Sequence, residues 1–573
     1  MSSYSDGPAP GFASVDSDAP GFASVLSGHH RRHYSFGDAV LAGWADDGGM
    51  LWPTQVPQLD QQRLAAWASL SYPQLCATIL KLFVPADDPD IAHGELDALI
   101  ARSFSGFGSA DVVELFTLEG GDLGPGLAIA ELWHGPTLAF KDLGMSVLGQ
   151  MLSHLLRRRR ERLLLLVGTS GDTGSSAIEA VRGLPNVDIV VLYPLRGYSS
   201  ITPVQERQMT SVAEVQANVT VVGVEGTSDD LDVPMEACFR DAPFKRLHAL
   251  GSVNSVNVVR LLVQSVHFFY AYLRVCPAAD RTVQFAVPCG AGGHLAAGLL
   301  ALQMGLPARL IAATNANDAM HRVLSTGILH AGRPSRPTAS PSIDIQMPYN
   351  VWRLLYVASG GDGDAVRRWQ EQLRIGVLQL PPHIVMWLAK RVGSVAVDDE
   401  ETLATVRSAR VQSGYFLDPH TAVGVAAARR SPFGIYGPPP STGFVRAHNG
   451  ATAEPRVCLG CAHAVKFLPS VAAALGSTID ATLAAMPECA THQCVSAIGR
   501  MARELHAAGG AAAGDSFSKE GQMPTGCTTV FRRGEDWEHR LRALLASVTA
   551  RASERAGASA RHGAATDSPA SRL

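Results

Sequence analysis

Two stretches of this 573-residue chain repeat one grammar, and that grammar limits the fold more than any bulk property does. In the first, the apolar run Leu163–Gly168 reads as a strand and Thr169–Gly174 as a loop of small residues. Ser175–Arg182 then reads as a helix and Val187–Tyr193 as a second strand. In the second, Val283–Pro288 is strand-like and Cys289–Gly293 glycine-rich, His294–Met304 is helical, and Arg309–Thr314 is strand-like again. Strand–helix–strand with so short a link is a βαβ unit, whose crossover makes the two strands parallel. Parallel sheets need cover on both faces, so the expected class is α/β. Ligands in such sheets sit outside the carboxyl ends of the strands, where both small-residue loops fall.

The loops have the chemistry for anions. Thr169, Ser170, Gly171, Asp172, Thr173 and Gly174 combine hydroxyls with free amides at a helix start. The loop is no Walker motif, because Ser175 stands where a lysine is required, and no nucleophile elbow, because Asp172 replaces its last glycine. In the second unit, Gly290, Ala291, Gly292, Gly293 and His294 let the backbone approach an anion closely. A tight turn that binds nothing is the competing reading of either loop.

Lys141 is the third feature. The chain has only six lysines among its 48 basic residues. Arginine cannot form a Schiff base, whereas a desolvated lysine amine can. Leu127–Trp133 reads as a strand, His134-Gly135-Pro136 as a turn, and Thr137 as the N-cap of a helix reaching about Arg160. Lys141 then falls in the first helical turn, where the macrodipole opposes a cation and favours the neutral amine. A snorkelling surface lysine is the bland alternative.

Bulk properties exclude more than they reveal. A net charge of −4 with 17% charged residues offers no nucleic-acid or membrane footprint. The arginines of 157–162 suit the C-terminal end of the Lys141 helix. Leu261–Tyr272 contains Gln264, Ser265 and His267, so it reads as a buried helix and not a membrane span. No secretory signal is visible, and nine cysteines suit reduced thiols in the cytoplasm. Cys458, Cys461, His463, Cys489 and Cys494 could suggest zinc, but their spacing suits core cysteines better, and no metal is expected. Residues 1–33, with Ala9–Val15 duplicated at Ala19–Val25, read as a disordered tail, and 548–573 as another. Residues 34–118 read as a small helical domain, with Pro73 splitting Leu64–Leu80 into two helices. Residues 119–547 read as the catalytic region, with inserts near 431–455 and 505–526.

A candidate Schiff-base lysine with two anion loops suits pyridoxal 5'-phosphate (PLP) and an anionic substrate. The motifs then become specific. His134-Gly-Pro-Thr-Leu-Ala-Phe-Lys141-Asp, Gly168-Thr-Ser-Gly-Asp-Thr-Gly-Ser-Ser-Ala-Ile-Glu179 and Gln205-Glu-Arg-Gln-Met-Thr210 resemble the threonine synthase family. So do Asn254-Ser-Val-Asn257-Val-Val-Arg260, Ala313-Thr-Asn-Ala-Asn-Asp318 and Ser340-Pro-Ser-Ile-Asp344. Ile345-Gln-Met-Pro-Tyr-Asn350 and Arg532-Arg-Gly-Glu-Asp-Trp537 point to its threonine synthase-like 2 branch.

The resemblance implies a fold type II, tryptophan synthase β-like PLP enzyme with parallel-sheet domains and a small N-terminal domain. It implies that Lys141 is the catalytic, cofactor-holding lysine and that Gly290–His294 bind the cofactor phosphate. It assigns Thr169–Gly174, with Asn254, Asn257 and Arg260, to the substrate, a small phosphorylated amino acid, in a monomer or homodimer. There are departures. The family's Gly-Asn-Phe-Gly loop is Gly290-Ala291-Gly292-Gly293 here, and its Thr partner of the pyridine nitrogen is Cys461. The family's N-terminal Tyr/Ser-Thr-Arg-Gly segment has no counterpart before His33-Tyr34-Ser35. The expected reaction is loss of phosphate from an O-phosphohomoserine-like substrate to give 2-oxobutyrate and ammonia. Threonine synthesis and a catalytically weakened binding protein are the alternatives.

Overall fold

The structure is a computed structural model that describes residues 20–28, 32–119, 126–433, 454–486, 493–509 and 527–566. Both βαβ units form, each in its own sheet. The first lies in a five-stranded parallel sheet ordered Thr529–Phe531, Val219–Val224, Val187–Pro194, Leu163–Gly168, Leu250–Gly251. The second lies in a six-stranded sheet ordered Val392–Ala396, Ala308–Thr314, Val283–Pro288, Arg456–Gly460, Leu127–Glu131, Glu114–Leu118. All its pairings are parallel except the last, where Glu114–Leu118 closes one edge antiparallel. Leu163–Val167 and Val187–Pro194 are buried on both faces, which explains why these strands read as unbroken apolar runs.

The helix Val258–Val275 is buried nearly all round, as its sequence suggested. It packs on the Lys141–Arg159 helix and on Gly293–Gln303. The two glycine-loop helices and the Lys141 helix thus share one scaffold, with their N-termini near the carboxyl ends of strands from both sheets.

Three boundary expectations are corrected. Residues 20–28 do not belong to a tail: Phe22–Ser24 pairs antiparallel with Leu51–Pro53, and Phe22 and Val25 are fully buried. Burying two such side chains stabilises by roughly 3–5 kcal/mol, enough to outweigh a Gly/Ser-rich composition. Residues 1–19 and 29–31 lie outside the described residues, as do most of the two inserts. Glu114–Leu118, assigned to the N-terminal unit, is instead an edge strand of the six-stranded sheet. The last helix runs Trp537–Thr566, through much of the segment read as a C-terminal tail. Leu541, Leu545, Val548 and Ala552 are buried along one stripe, and the Arg555 guanidinium pairs with Asp188. Pro73 begins the Tyr72–Leu80 helix, which Ser71 caps with Gln74 in a capping box, and Gln61–Ala66 is the separate helix before it.

Candidate active site

Lys141 is delivered by a constrained turn. After Leu127–Glu131 ends, Leu138 adopts a left-handed backbone at φ 58°. That conformation is unfavourable for a residue with a Cβ and persists only where its surroundings impose it. Here the Leu138 amide donates to Gly135 O at 3.1 Å, the His463 amide to Leu138 O at 3.1 Å, and the Phe140 amide to Cys461 O at 2.7 Å. The helix begins at Lys141 itself, not after a Thr137 cap. Thr137 serves another purpose: its hydroxyl and amide both donate to the Asp142 carboxylate, at 2.6 and 2.8 Å, and Ser176 Oγ donates to it at 2.6 Å. Asp142 thereby ties the Lys141 turn to the Asp172–Val181 helix.

The Lys141 amine lies 3.4 Å from Asp172 Oδ2. That carboxylate answers the repulsion expected between a cation and a helix N-terminus. Asp172 is itself buried, and it is shared. Lys466 Nζ, wholly inaccessible, lies 2.9 Å from Oδ1. Gln205 Nε2 donates to Oδ1 at 2.9 Å and Ser342 Oγ to Oδ2 at 3.0 Å. Burial works to raise the Asp172 pKa, but Lys466 and then Lys141 hold it well below the ordinary carboxylate range. Ser342 is fixed in turn, its amide donating to His420 Nε2 at 2.9 Å while His420 Nδ1 lies 2.9 Å from Asp418.

One cavity gathers most of the expected residues: Lys141, Thr169, Ser170, Asp172, Thr173, Asn254, Arg260, Gly290, Ala291, Gly292, Gly293, His294 and Cys461. Three others shape it from behind. Thr169 Oγ1 accepts from the Gly171 and Gly174 amides at 2.9 Å each, which curls the first loop. Gly171 has φ 137°, and a Cβ there would meet the Gln205 amide at 2.5 Å. Asn257 does not reach the cavity, because it caps Val258–Val275 through Val259 N and donates to Val40 O and Ser252 O. In the second loop, a Cβ on Gly293 would come within 2.6 Å of Ser255 Cβ, so only glycine fits.

Besides Lys141, sequence reading did not find the partners of Asp172 (Lys466, Gln205 and Ser342), nor Ser228, Asp229, Asp232, Ser255 and Tyr349, which also line the cavity. Lys466 carried a usable signal as one of six lysines, and Gln205, Ser342 and Tyr349 stand in motif blocks to which no role was given. Asp229 and Asp232 carried none. Cys461 lines the cavity as a neutral thiol, its pKa raised far above the usual value by burial and then Asp418. Cys458 donates to Thr421 O at 3.6 Å inside the core. Cys489 lies outside the described residues.

The cavity fits PLP on its own geometry. A lysine amine lines it beside a glycine-rich loop in which Gly293 has no room for a Cβ. Three buried polar atoms on its lining residues, Asn254 Oδ1, Arg260 Nε and His294 Nδ1, have no partner among the described residues and call for a polar ligand. Parallel sheets, a strand–turn–helix lysine and a glycine loop at a helix start together define a fold type II PLP-dependent enzyme.

Comparison with known proteins narrows this class. Residues 26–104 match the threonine synthase N-terminus family, and residues 106–434 match the pyridoxal-phosphate dependent enzyme family. The chain is 40% identical to threonine synthase-like 2 of Homo sapiens over 445 residues, covering 77% of this chain and 86% of that protein. It is 36% identical to the threonine synthase of Pseudomonas aeruginosa over 439 residues, covering 76% and 87%. A crystal structure of PLP-bound threonine synthase from Brucella melitensis superposes with a TM-score of 0.69 at 34% identity, covering 80% and 92%. The chain therefore belongs to the threonine synthase family of PLP-dependent enzymes, and its cofactor is PLP. No helix among the described residues is long and apolar enough to cross a membrane.

Proposed function

We propose that the protein is a phospho-lyase that eliminates phosphate from O-phosphohomoserine or a similar γ-phosphorylated amino acid. The net reaction is substrate plus water to 2-oxobutyrate, ammonia and phosphate. One observation carries this reading: the Lys141 cavity is lined by the Gly290–Gly293 loop, the Thr169–Thr173 loop and Arg260, three sets of groups suited to anions. Gly290–Gly293 suit the cofactor phosphate and Thr169–Thr173 the substrate carboxylate. Arg260, with Asn254 and Ser255, suits the phosphate that leaves.

Bound in this cavity, PLP supplies an electron sink for the negative charge that develops on the substrate. The chain's own residues do the rest. Lys141 Nζ holds the cofactor, then takes the α-proton and handles the β-proton. Burial, opposed by Tyr349 and Asp142, lowers the Arg260 pKa to about 10, which leaves the guanidinium cationic and ready for a dianion. Lys466 neutralises Asp172, so that this carboxylate does not repel a substrate carboxylate in the same loop. Cys461, a neutral thiol, offers only a weak hydrogen bond to a ring nitrogen.

Elimination needs a base and an anion site. Threonine synthesis needs in addition a water fixed over the β-carbon, and Ala291 brings no side-chain amide to the loop where the family pattern has Asn. Incubation with O-phosphohomoserine and product analysis by NMR tests the proposal. 2-Oxobutyrate with equimolar phosphate is expected; threonine as the main product sinks the lyase reading in favour of a synthase. Visible cofactor absorbance, lost in Lys141→Ala, is also expected, and a protein that never takes up PLP would be a binding protein instead.

A further inference from the structure

Next to the glycine cradle is a pair of histidines that the reaction above does not use. His294 is the second residue of the Gly293–Gln303 helix, and its ring lines the cavity. The ring stacks on Phe140, the residue before Lys141, with centroids 5.0 Å apart and planes at 10°. On its other side, His294 Nε2 lies 2.9 Å from Nδ1 of His267, which is completely buried on Val258–Val275. The two outer nitrogens, His294 Nδ1 and His267 Nε2, have no hydrogen-bond partner among the described residues.

A proton count decides between two arrangements. A single hydrogen occupies the contact between the rings, because neither ring is charged. Burial first, then Arg260 and Lys141, push the His294 pKa down to about 3, and burial and His294 itself hold His267 well below its usual value. If His294 Nε2–H donates inward, His267 must carry its own proton on Nε2. That N–H would then point into packed core beside Tyr72, with no acceptor among the described residues. If His267 Nδ1–H donates outward, the only unsatisfied donor of the pair becomes Nδ1–H of His294, the residue of the two that lines the cavity. The second arrangement moves an orphan donor from the ring in the packed core to the ring that borders the cavity, and a buried N–H without an acceptor is the rarest of unmet polar groups.

We infer that His294 Nδ1–H, held in that tautomer by His267, is a side-chain hydrogen-bond donor to the phosphate of PLP. The inference rests on the reading that Gly290–Gly293 cradle that phosphate. It gives the loop a side-chain donor in addition to its backbone amides, at the N-terminal end of a helix whose dipole attracts the same anion. Because neither ring titrates near neutrality, the donor is present throughout the working pH range. His267 touches no ligand and acts as a positioning residue.

The test uses the full chain stripped of PLP and reconstituted. PLP affinity is read from cofactor absorbance, pyridoxal affinity in the same way, and the phosphate environment from the 31P resonance of bound PLP. His294→Leu is expected to weaken PLP binding about 10- to 100-fold, the loss of one hydrogen bond to a charged group, and to move the 31P resonance. Pyridoxal, lacking the phosphate, is expected to bind His294→Leu as it binds the parent protein. His294→Asn, which keeps an N–H near Nδ1, is expected to stay within about threefold of the parent in PLP affinity. His267→Leu is expected to move the 31P resonance in the same direction as His294→Leu, and His267→Gln to restore it. An unmoved 31P resonance in His294→Leu, or an equal loss of pyridoxal and PLP affinity, overturns the inference and leaves His294 a packing residue. A parent protein that takes up no PLP overturns the cofactor cradle itself and the inference with it.

Discussion

Lys466→Met is the perturbation with the most to say about this site. Lys466 is inaccessible to solvent and stands 2.9 Å from a carboxylate that is also buried. At an effective dielectric of about 20, attraction between unit charges is about 6 kcal/mol at 2.9 Å and about 5 kcal/mol at 3.4 Å. The two lysines therefore share Asp172 almost equally. Removing one partner of a buried pair costs roughly 3–5 kcal/mol, because the other charge is left without compensation. With Lys141, Gln205 and Ser342 still in place, the apoprotein is expected to lose about 3 kcal/mol. Once Lys141 is engaged by the cofactor, Lys466 is the remaining full countercharge, so the loss in the PLP-bound protein is expected to rise to about 5 kcal/mol and PLP affinity to fall accordingly. Urea denaturation of apo and PLP-bound forms measures this, taken from the first transition, because a chain with two sheets need not unfold in one step. Asp172→Asn added to Lys466→Met removes the stranded charge and is expected to recover at least half of the loss. A loss under about 1 kcal/mol in Lys466→Met, or a double variant as unstable as the single one, would refute a shared buried carboxylate.

Three further outcomes follow from the geometry. Burial, then Asp229 and Glu236, push the Asp232 carboxyl up to about 8, so it is neutral below that pH and adds a negative charge to the cavity above it. The KM for a phosphorylated substrate is therefore expected to rise above about pH 8, and Asp232→Asn to flatten that rise, with the substrate's own ionisation common to both proteins; a KM profile unchanged by the substitution would remove Asp232 from the argument. Gly293→Ala would press a Cβ to 2.6 Å from Ser255 Cβ, an overpacking cost of roughly 1–3 kcal/mol located at the cradle, and absorbance titration should find weaker PLP binding. Arg260→Leu should raise the KM for O-phosphohomoserine by about 10- to 100-fold while leaving PLP uptake within a few-fold; steady-state kinetics beside a cofactor titration separate the two, and loss of both together would place Arg260 on the cofactor instead.

The chain's residue order determined what is local. Apolar runs ended by glycine loops located Leu163–Gly168 and Val283–Pro288 almost to the residue, because a strand buried on both faces leaves an unbroken run. The scarcity of lysine singled out Lys141, since only an amine can do its chemistry, and the loop residues that line the cavity were legible for the same local reason. Composition misled at the edges. Phe22–Ser24 lies among glycine and serine, and what orders it is a partner strand 29 residues onward, at Leu51–Pro53. The Trp537–Thr566 helix continues past its expected end because alanine-rich sequence is helix-prone wherever a stripe such as Leu541, Leu545 and Val548 finds a surface.

Only the tertiary structure decided which charges meet. Asp172 and Lys466 are separated by almost 300 residues, and no periodicity connects them. They come together because the strand Arg456–Gly460 is inserted beside Leu127–Glu131, which brings the chain after Cys461 against the Lys141 turn. His294 and His267 meet for a similar reason, one on a loop-bearing helix and the other on the buried helix Val258–Val275 packed against it. Sequence can nominate an amine and two anion cradles, because those are properties of short segments. Whether the amine faces a carboxylate, what neutralises that carboxylate, and which ring nitrogen carries the proton are set by burial and by distances of about 3 Å between distant segments, which only packing fixes.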